Sequence, residues 1–252
     1  VPSPPQGADF ANDKWELYNL DQDFNETNDL AEKEPERLKA MIEEWWRQAE
    51  ASKVLPLDDR FAPRFADNAK RFHGPRNRFV FHAGMGHVPT DVAPDVRNRT
   101  YTIEADVHVD GPTTEGVLIA HGDMTTGYSL YMKDGKLAYD MNIGGEHHLI
   151  VSDRPVPAGN RKLAVRMRRN QGRNLATILI DGEPAGKLAY KAGFTSLISW
   201  SGLDIGRDRA SPVSHYTAPF EFTGPLVRVT MTLQPQQDLA GGAVGQAEMA
   251  RQ

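Results

Sequence analysis

The sequence predicts a mainly β chain, an antiparallel two-sheet sandwich of jelly-roll type preceded by a short strand and one amphipathic helix. Three observations predict it. Between Asn77 and Leu233, short segments rich in β-branched and aromatic residues follow one another, separated by Gly, Pro, Asn and Asp. Many of these segments alternate apolar and polar residues with period two, the pattern of a half-buried antiparallel sheet. Helical periodicity is confined to one stretch nearer the amino terminus.

Val1–Asn12 comes first and is Pro-rich, with Pro2, Pro4 and Pro5 each restricting the residue before it. It reads as a linker or an edge strand and excludes a helix. It has no initiator Met, basic n-region or apolar h-region, so it is no signal peptide, and the chain reads as a piece cut from something longer. From Asp13 to about Arg60, Trp15, Leu17 and Tyr18 predict a short strand, and Asn19-Leu20-Asp21 begins a polar turn. Glu34-Pro35 opens a helix, with Pro at an early position where its missing N–H costs nothing. Leu38, Met41, Ile42, Trp45 and Ala49 recur at helical spacing and give one apolar face. Trp45 and Trp46 are adjacent and cannot both centre that face. A helix of this length is marginal alone in water, so a partner is expected, either the β domain or a domain outside this chain.

Residues 61–76 read as a linker, and the β domain is placed at 77–233. Its expected strands are Arg78–His82, Tyr101–Val109, Gly116–His121, Tyr128–Lys133, Lys136–Asn142, His148–Ser152, Arg161–Arg168, Ala176–Ile180, Lys187–Tyr190, Leu203–Ile205 and Leu226–Leu233. In the second of these, Tyr101, Ile103, Ala105, Val107 and Val109 face one way, with Thr102, Glu104, Asp106 and His108 opposite. Asp134-Gly135 is a strong two-residue hairpin signal, and Asp181-Gly182 is expected to make a similar turn. Residues 234–252, rich in Gly, Ala and Gln, read as a loosely attached tail.

Composition excludes several classes. No apolar run approaches the roughly 20 residues of a transmembrane helix. The formal net charge is −5, with both signs interspersed, which argues against a phosphate-tracking surface and against nucleic acid as a partner. The absence of cysteine excludes disulfides, thiolate zinc sites and a cysteine nucleophile. It leaves periplasm and cytoplasm equally open.

The stretch KWELYNLDQDFNETNDLA (Lys14–Ala31) resembles the closing segment of the catalytic domain in the sulfatase family. Trp15, Glu16, Leu17, Tyr18, Asn19, Leu20, Asp23, Glu26, Asn28, Asp29, Leu30 and Ala31 stand where that pattern wants them. VLPLDDR (Val54–Arg60) resembles the exit from the following helix in large bacterial arylsulfatases. APDVRNRTYTIEADV (Ala93–Val107), EGVLIAHG (Glu115–Gly122), YSLYMKDGKLAY (Tyr128–Tyr139), LDIGRDRASPVSHY (Leu203–Tyr216) and APFEFTGPLVRVTMTL (Ala218–Leu233) resemble the concanavalin A/laminin-G-like β domain those enzymes carry. The resemblance implies that residues 1–60 end a catalytic domain and that the parent hydrolyses sulfate esters. It also implies a formylglycine and a divalent cation, usually calcium, in the parent's catalytic domain, with no cofactor in this chain.

The departure is equally informative. The family's nucleophile comes from a C/S-x-P-x-R motif upstream of WELYNL, and this chain has no such motif. Ser211-Pro212-Val213 lacks the Arg two residues beyond the proline. The family's catalytic roles therefore map onto no residue here, and the chain alone is expected to be inactive. Its expected partners are the sulfatase catalytic domain and a sulfated ester or glycan, with oligomeric state left open. The alternative is a glycan-binding, lectin-like module.

Candidate binding residues come from loops, where a rigid scaffold displays function. His82 and His87 flank the Ala83–Gly86 turn, read more simply as a wide hairpin connection. Arg207 and Asp208 form a charged turn with Asp204, read more simply as an Arg–carboxylate pin. His215 and Tyr216 follow Pro212 in a loop. His147-His148 is a histidine pair, but neighbours on a strand point to opposite faces, so no metal is assigned to it. Trp200 and Trp15 read as core or interface residues before sugar platforms. The sequons Asn25-Glu26-Thr27 and Asn98-Arg99-Thr100 are common by chance and carry little weight given the resemblance to bacterial enzymes.

Overall fold

The computed structural model describes residues 10–57, 71–72, 74–169, 174–190, 193–194, 198–209 and 211–237. The chain divides into two compact units, Val1–Phe61 and Ala62–Gln252. Most of the expected linker, and the tail beyond residue 237, lie outside the described residues.

Among its described residues the first unit holds one α-helix, α1 (Pro35–Ala51), with Pro35 in its first turn. The expected strand at Trp15–Tyr18 does not form. Its backbone is satisfied locally instead: Leu17 N–H donates to Asp29 Oδ1 at 3.0 Å, and the Leu17 carbonyl accepts from Leu30 N–H at 2.7 Å. The helix face foreseen from its spacing is only lightly covered. Ala49 is buried and Leu38, Ile42 and Trp46 are half-buried, whereas Met41 and Trp45 are exposed. Trp45 sits edge-on between Trp15 and Trp46, with ring centroids 5.4 and 4.8 Å away.

The second unit is an antiparallel jelly-roll sandwich. Its strands are β1 (Arg78–His82), β2 (Arg99–Val109), β3 (Gly116–Gly122), β4 (Thr126–Lys133), β5 (Lys136–Ile143), β6 (Glu146–Val151), β7 (Gly159–Arg168), β8 (Asn174–Ile180), β9 (Glu183–Tyr190), β10 (Leu203–Ile205) and β11 (Leu226–Gln237). One sheet has the order β1-β11-β2-β7-β8-β9 and the other β10-β3-β4-β5-β6. β11 runs past Leu233 to Gln237, beyond the expected end of the β domain. A 3-10 turn at Thr90–Val92 lies before β2, in a zone expected to hold no helical element.

Strand alternation builds the core as expected along β2, where Tyr101, Ile103, Ala105, Val107 and Val109 are buried. They meet Leu130, Met132, Leu137, Tyr139 and Met141 of the opposite sheet in one cluster. The hydroxyls of Tyr101 and Tyr139 satisfy each other at 2.8 Å inside it, as buried polar groups must. Three hairpins close with two residues at positive φ, the geometry that matches the twist of the flanking strands. These are Asp134-Gly135, Asp181-Gly182 and Gly144-Gly145.

The connection after β1 is not a hairpin. Val88 N–H and carbonyl pair with Leu203 at 3.0 and 2.8 Å, so the chain crosses from the first sheet to the edge of the second. A second, smaller core lies on the outer face of the β10-β3-β4-β5-β6 sheet. There Val213 and Tyr216, from the connection between β10 and β11, pack on Val117, Ala120, Tyr131 and Ala138.

Candidate functional site

Among the described residues, two regions that gather polar side chains bear on function. The first is the rim where the β3–β4 connection meets the turn before β10. Asp123 accepts hydrogen bonds from Ser199 Oγ, from Ser201 Oγ at 2.7 Å, and from the Thr125 backbone N–H and hydroxyl at 2.9 and 2.6 Å. Burial raises its pKa, but these donors together outweigh that and hold the carboxyl at about 2. Thr90 Oγ1 adds a third anchor, donating to the Ser199 carbonyl at 2.6 Å and accepting from Gly202 N–H at 3.2 Å. A fourth is Gly122 N–H, which donates to the Gly202 carbonyl at 2.9 Å.

This bonding surrounds Trp200, whose side chain stays 64% exposed. An indole held outward on a turn pinned at both flanking serines is a pre-ordered flat apolar surface. Next to it, His87 Nδ1 lies 3.4 Å from Asp204 Oδ1, and Asp204 also receives Arg209 Nε at 2.8 Å and Arg209 N–H at 3.2 Å. Beneath the rim, His121 is sealed in the interior. Its Nε2 lies 3.5 Å from Thr90 Oγ1, and burial pushes its pKa down to about 3.

The second region lies on the outer face of the five-stranded sheet, under the segment leading to Tyr216. Tyr216 Oη is 2.7 Å from Asp208 Oδ2 and 2.9 Å from Ser129 Oγ. Val213 N–H donates to the same Asp208 oxygen at 2.9 Å. Asn142 Nδ2 donates to the carbonyls of Met124 and Val213 at 2.8 and 3.3 Å. Asp140 is fully buried; its Oδ2 is 2.7 Å from His147 Nδ1 and 2.6 Å from Ser214 Oγ. The ring of His215 lies beside that of His147, with centroids 4.2 Å apart. Ligand atoms of Asp140, His147 and His215 all fall within 4.8 Å of one another.

The candidates singled out from sequence are thus dispersed. His82 is exposed at the end of β1, with Nδ1 3.4 Å from the Val227 carbonyl. His87 joins the Trp200 rim through Asp204. Arg207 is half-buried, and the residue that pins the charged turn is Arg209, closing on Asp204. Asp208 and Tyr216 come together, but in the interior, where burial raises the Tyr216 pKa. His215 meets His147, while His148 turns to the other face, its ring 6.3 Å from that of Tyr190.

Asp123, Ser199, Ser201, Thr90 and Asp140 were not foreseen. Ser199-Trp200-Ser201 carried a usable signal, two small hydroxyl residues flanking a tryptophan. Asp140 carried only its charge inside an apolar strand.

No family model matches the sequence, and no curated protein matches it. Solved structures similar to the chain include the Ruminococcus gnavus IT-sialidase CBM40 bound to alpha2,3 sialyllactose. That match has 14% identity and a TM-score of 0.46, and it covers 68% of this chain and 95% of that one. The native heptameric SAP-like pentraxin from Limulus polyphemus is similar at 16% identity and a TM-score of 0.36, covering 63% and 75%. Domains LG4-5 of the mouse laminin alpha1 chain are similar at 15% identity and a TM-score of 0.39, covering 64% and 40%. No helix among the described residues is long and apolar enough to cross a membrane.

Proposed function

We propose that the second unit is a non-catalytic glycan-binding module whose contact surface is the Trp200 rim. The single observation that carries this is an indole 64% exposed on a turn whose two flanking serines both bond to Asp123. A sugar ring presents apolar C–H faces that stack on such a surface. Because the turn is already ordered, little conformational entropy is lost on binding. Polar groups around the rim, His87 and Arg209 among them, are placed to hydrogen-bond hydroxyl or acidic substituents. The test is a glycan array followed by calorimetry on the full chain, with sulfated and unsulfated oligosaccharides. Binding should weaken at least about tenfold in Trp200→Ala, with stability changed by no more than about 0.5 kcal/mol, as expected of an exposed site. Absence of binding across the panel, or equal binding by the variant, rejects the reading.

A finer reading places this module at the carboxy-terminal end of an arylsulfatase, as an accessory part of that enzyme. It rests on the WELYNL…DLA residues and on what they do. Asp29 Oδ1 takes both Leu17 N–H and Ala31 N–H, and Asp23 takes the Thr27 hydroxyl and Asn28 N–H. Asp23 and Asp29 are therefore occupied in turn formation, which supports a structural role for the segment. Under this reading the purified chain shows no turnover of a chromogenic aryl sulfate. Turnover that survives repurification would reject it.

A further inference from the structure

The cluster on the outer face of the five-stranded sheet is independent of the Trp200 rim. We propose that Asp140, His147 and His215 form a binding site for a divalent transition-metal ion of the zinc class. Three observations converge on it. The first is the ligand set: two imidazoles and a carboxylate, with donor atoms all within 4.8 Å of one another, are the donors a four-coordinate zinc takes. Calcium and magnesium, which prefer six or more oxygen ligands, fit it poorly.

The second observation is Asp140 itself. Its side chain is fully buried, and Oδ1 has no hydrogen-bond partner, although Oδ2 contacts His147 and Ser214. An unmatched carboxylate oxygen out of reach of water is costly. A cation coordinated by this carboxylate would offset that cost.

The third is how the donors are held. Asp140 and His147 lie on the paired strands β5 and β6, where Asn142 opposite His147 shares Asp140's side of the sheet. His215 arrives on a segment fixed from both sides: Ser214 Oγ bonds to Asp140, and the His215 carbonyl accepts from Lys133 Nζ at 3.1 Å. Two ligands are thus on rigid strands and the third on a tethered loop. His215 is exposed, so the ion has a path in and a coordination position open to solvent. The bound metal would clamp the Val213–Tyr216 segment to the sheet.

The experiment uses the full chain without a histidine tag, stripped with a chelator and titrated calorimetrically with zinc chloride. Cobalt(II) absorption reports coordination geometry in parallel. One zinc per chain is expected, with an upward shift in Tm and cobalt bands of tetrahedral intensity. His215→Ala, a surface change that leaves the core intact, should weaken uptake at least about tenfold, as should His147→Ala. His148→Ala, on the opposite face, should leave it unchanged. No zinc uptake, uptake undiminished in folded His215→Ala, or preference for calcium over zinc would overturn the proposal.

Discussion

The Tyr216 hydroxyl lies 2.7 Å from Asp208 Oδ2 in a region from which water is excluded. That bond ties the segment before β11 to the turn after β10, and Ser129 of β4 lies 2.9 Å from the same hydroxyl. Tyr216→Phe removes the hydroxyl while keeping the ring that stacks on Phe220, 5.2 Å away. The Asp208 carboxylate then keeps Val213 N–H but loses a partner, and the cost of a buried polar group so deprived is about 1–3 kcal/mol. Urea denaturation should register that loss, with glycan affinity unaffected. A variant as stable as the parent would show that the hydroxyl contributes nothing.

Asp123→Ala tests the rim without touching the indole. Ser199, Ser201 and Thr125 all lose their acceptor, so the turn bearing Trp200 keeps only its Thr90 and Gly122 anchors and is held less tightly. Ligand binding would then have to order it. The affinity for any oligosaccharide that binds the chain should fall several-fold, in the same direction as in Trp200→Ala. Unchanged affinity would mean that Trp200 binds without a pinned turn, or takes no part.

Strands such as β1 and β2 were legible from sequence because each has one buried face, and period-two patterning records that directly, whereas β3, β4 and β5 are buried on both faces and show as short apolar segments bounded by turn residues. Asp134-Gly135 and Asp181-Gly182 were legible because few residue pairs tolerate two successive positive φ values. The failures also have physical causes. Trp15–Tyr18 carries strand-forming residues but spends its hydrogen bonds on Asp29 and Leu30, a choice that propensity does not encode. The Ala83–Gly86 turn reads as a hairpin because nothing local shows that Val88 will pair with Leu203. Sites fared worse than strands. The Asp140–His147–His215 cluster and the Asp123–Ser199–Ser201 cluster each join residues far apart in the chain, and only the sheet order brings them together. His147 and His148 are neighbours in sequence, yet the groups beside His147 are Asp140 and His215.

Acid should destabilise the sandwich through His121. Burial is the main cause of its lowered pKa; His87 adds to the lowering and Asp95 opposes it. The folded state holds this imidazole neutral down to about pH 3, whereas the unfolded chain protonates it below about 6.5. Above 6.5 the two states bind protons alike. As pH falls below that value the unfolded state gains the proton first, so stability drops by up to about 1.4 kcal/mol per pH unit. Asp123 acts lower down, its contribution being lost as pH falls from 3.8 towards about 2. Urea midpoints for the parent and for His121→Gln, compared from pH 7 to 4.5, should show a shallower slope in the variant. Parallel curves would mean that His121 is not the group responsible.

Gly122 gives the last prediction, because its backbone serves both the fold and the rim. It has φ +100, and a Cβ there would stand 2.1 Å from the Thr126 carbonyl oxygen and 2.7 Å from Gly127 Cα. Those are backbone atoms of the paired strand β4 and cannot swing aside. Gly145 is a useful contrast, with φ +87 but nothing within 4 Å of the added carbon. Gly145→Ala should therefore cost about 1–2 kcal/mol, the penalty of a left-handed conformation for an L residue. Gly122→Ala should cost about 3 kcal/mol or more, because a steric clash adds to that strain. It should also weaken binding at Trp200, since Gly122 N–H holds the Gly202 carbonyl on the far side of that turn. Denaturant midpoints measured on both variants decide the point. Equal losses would show that β3 and β4 can separate enough to admit a methyl group, and that close strand contact at Gly122 is not what fixes the rim.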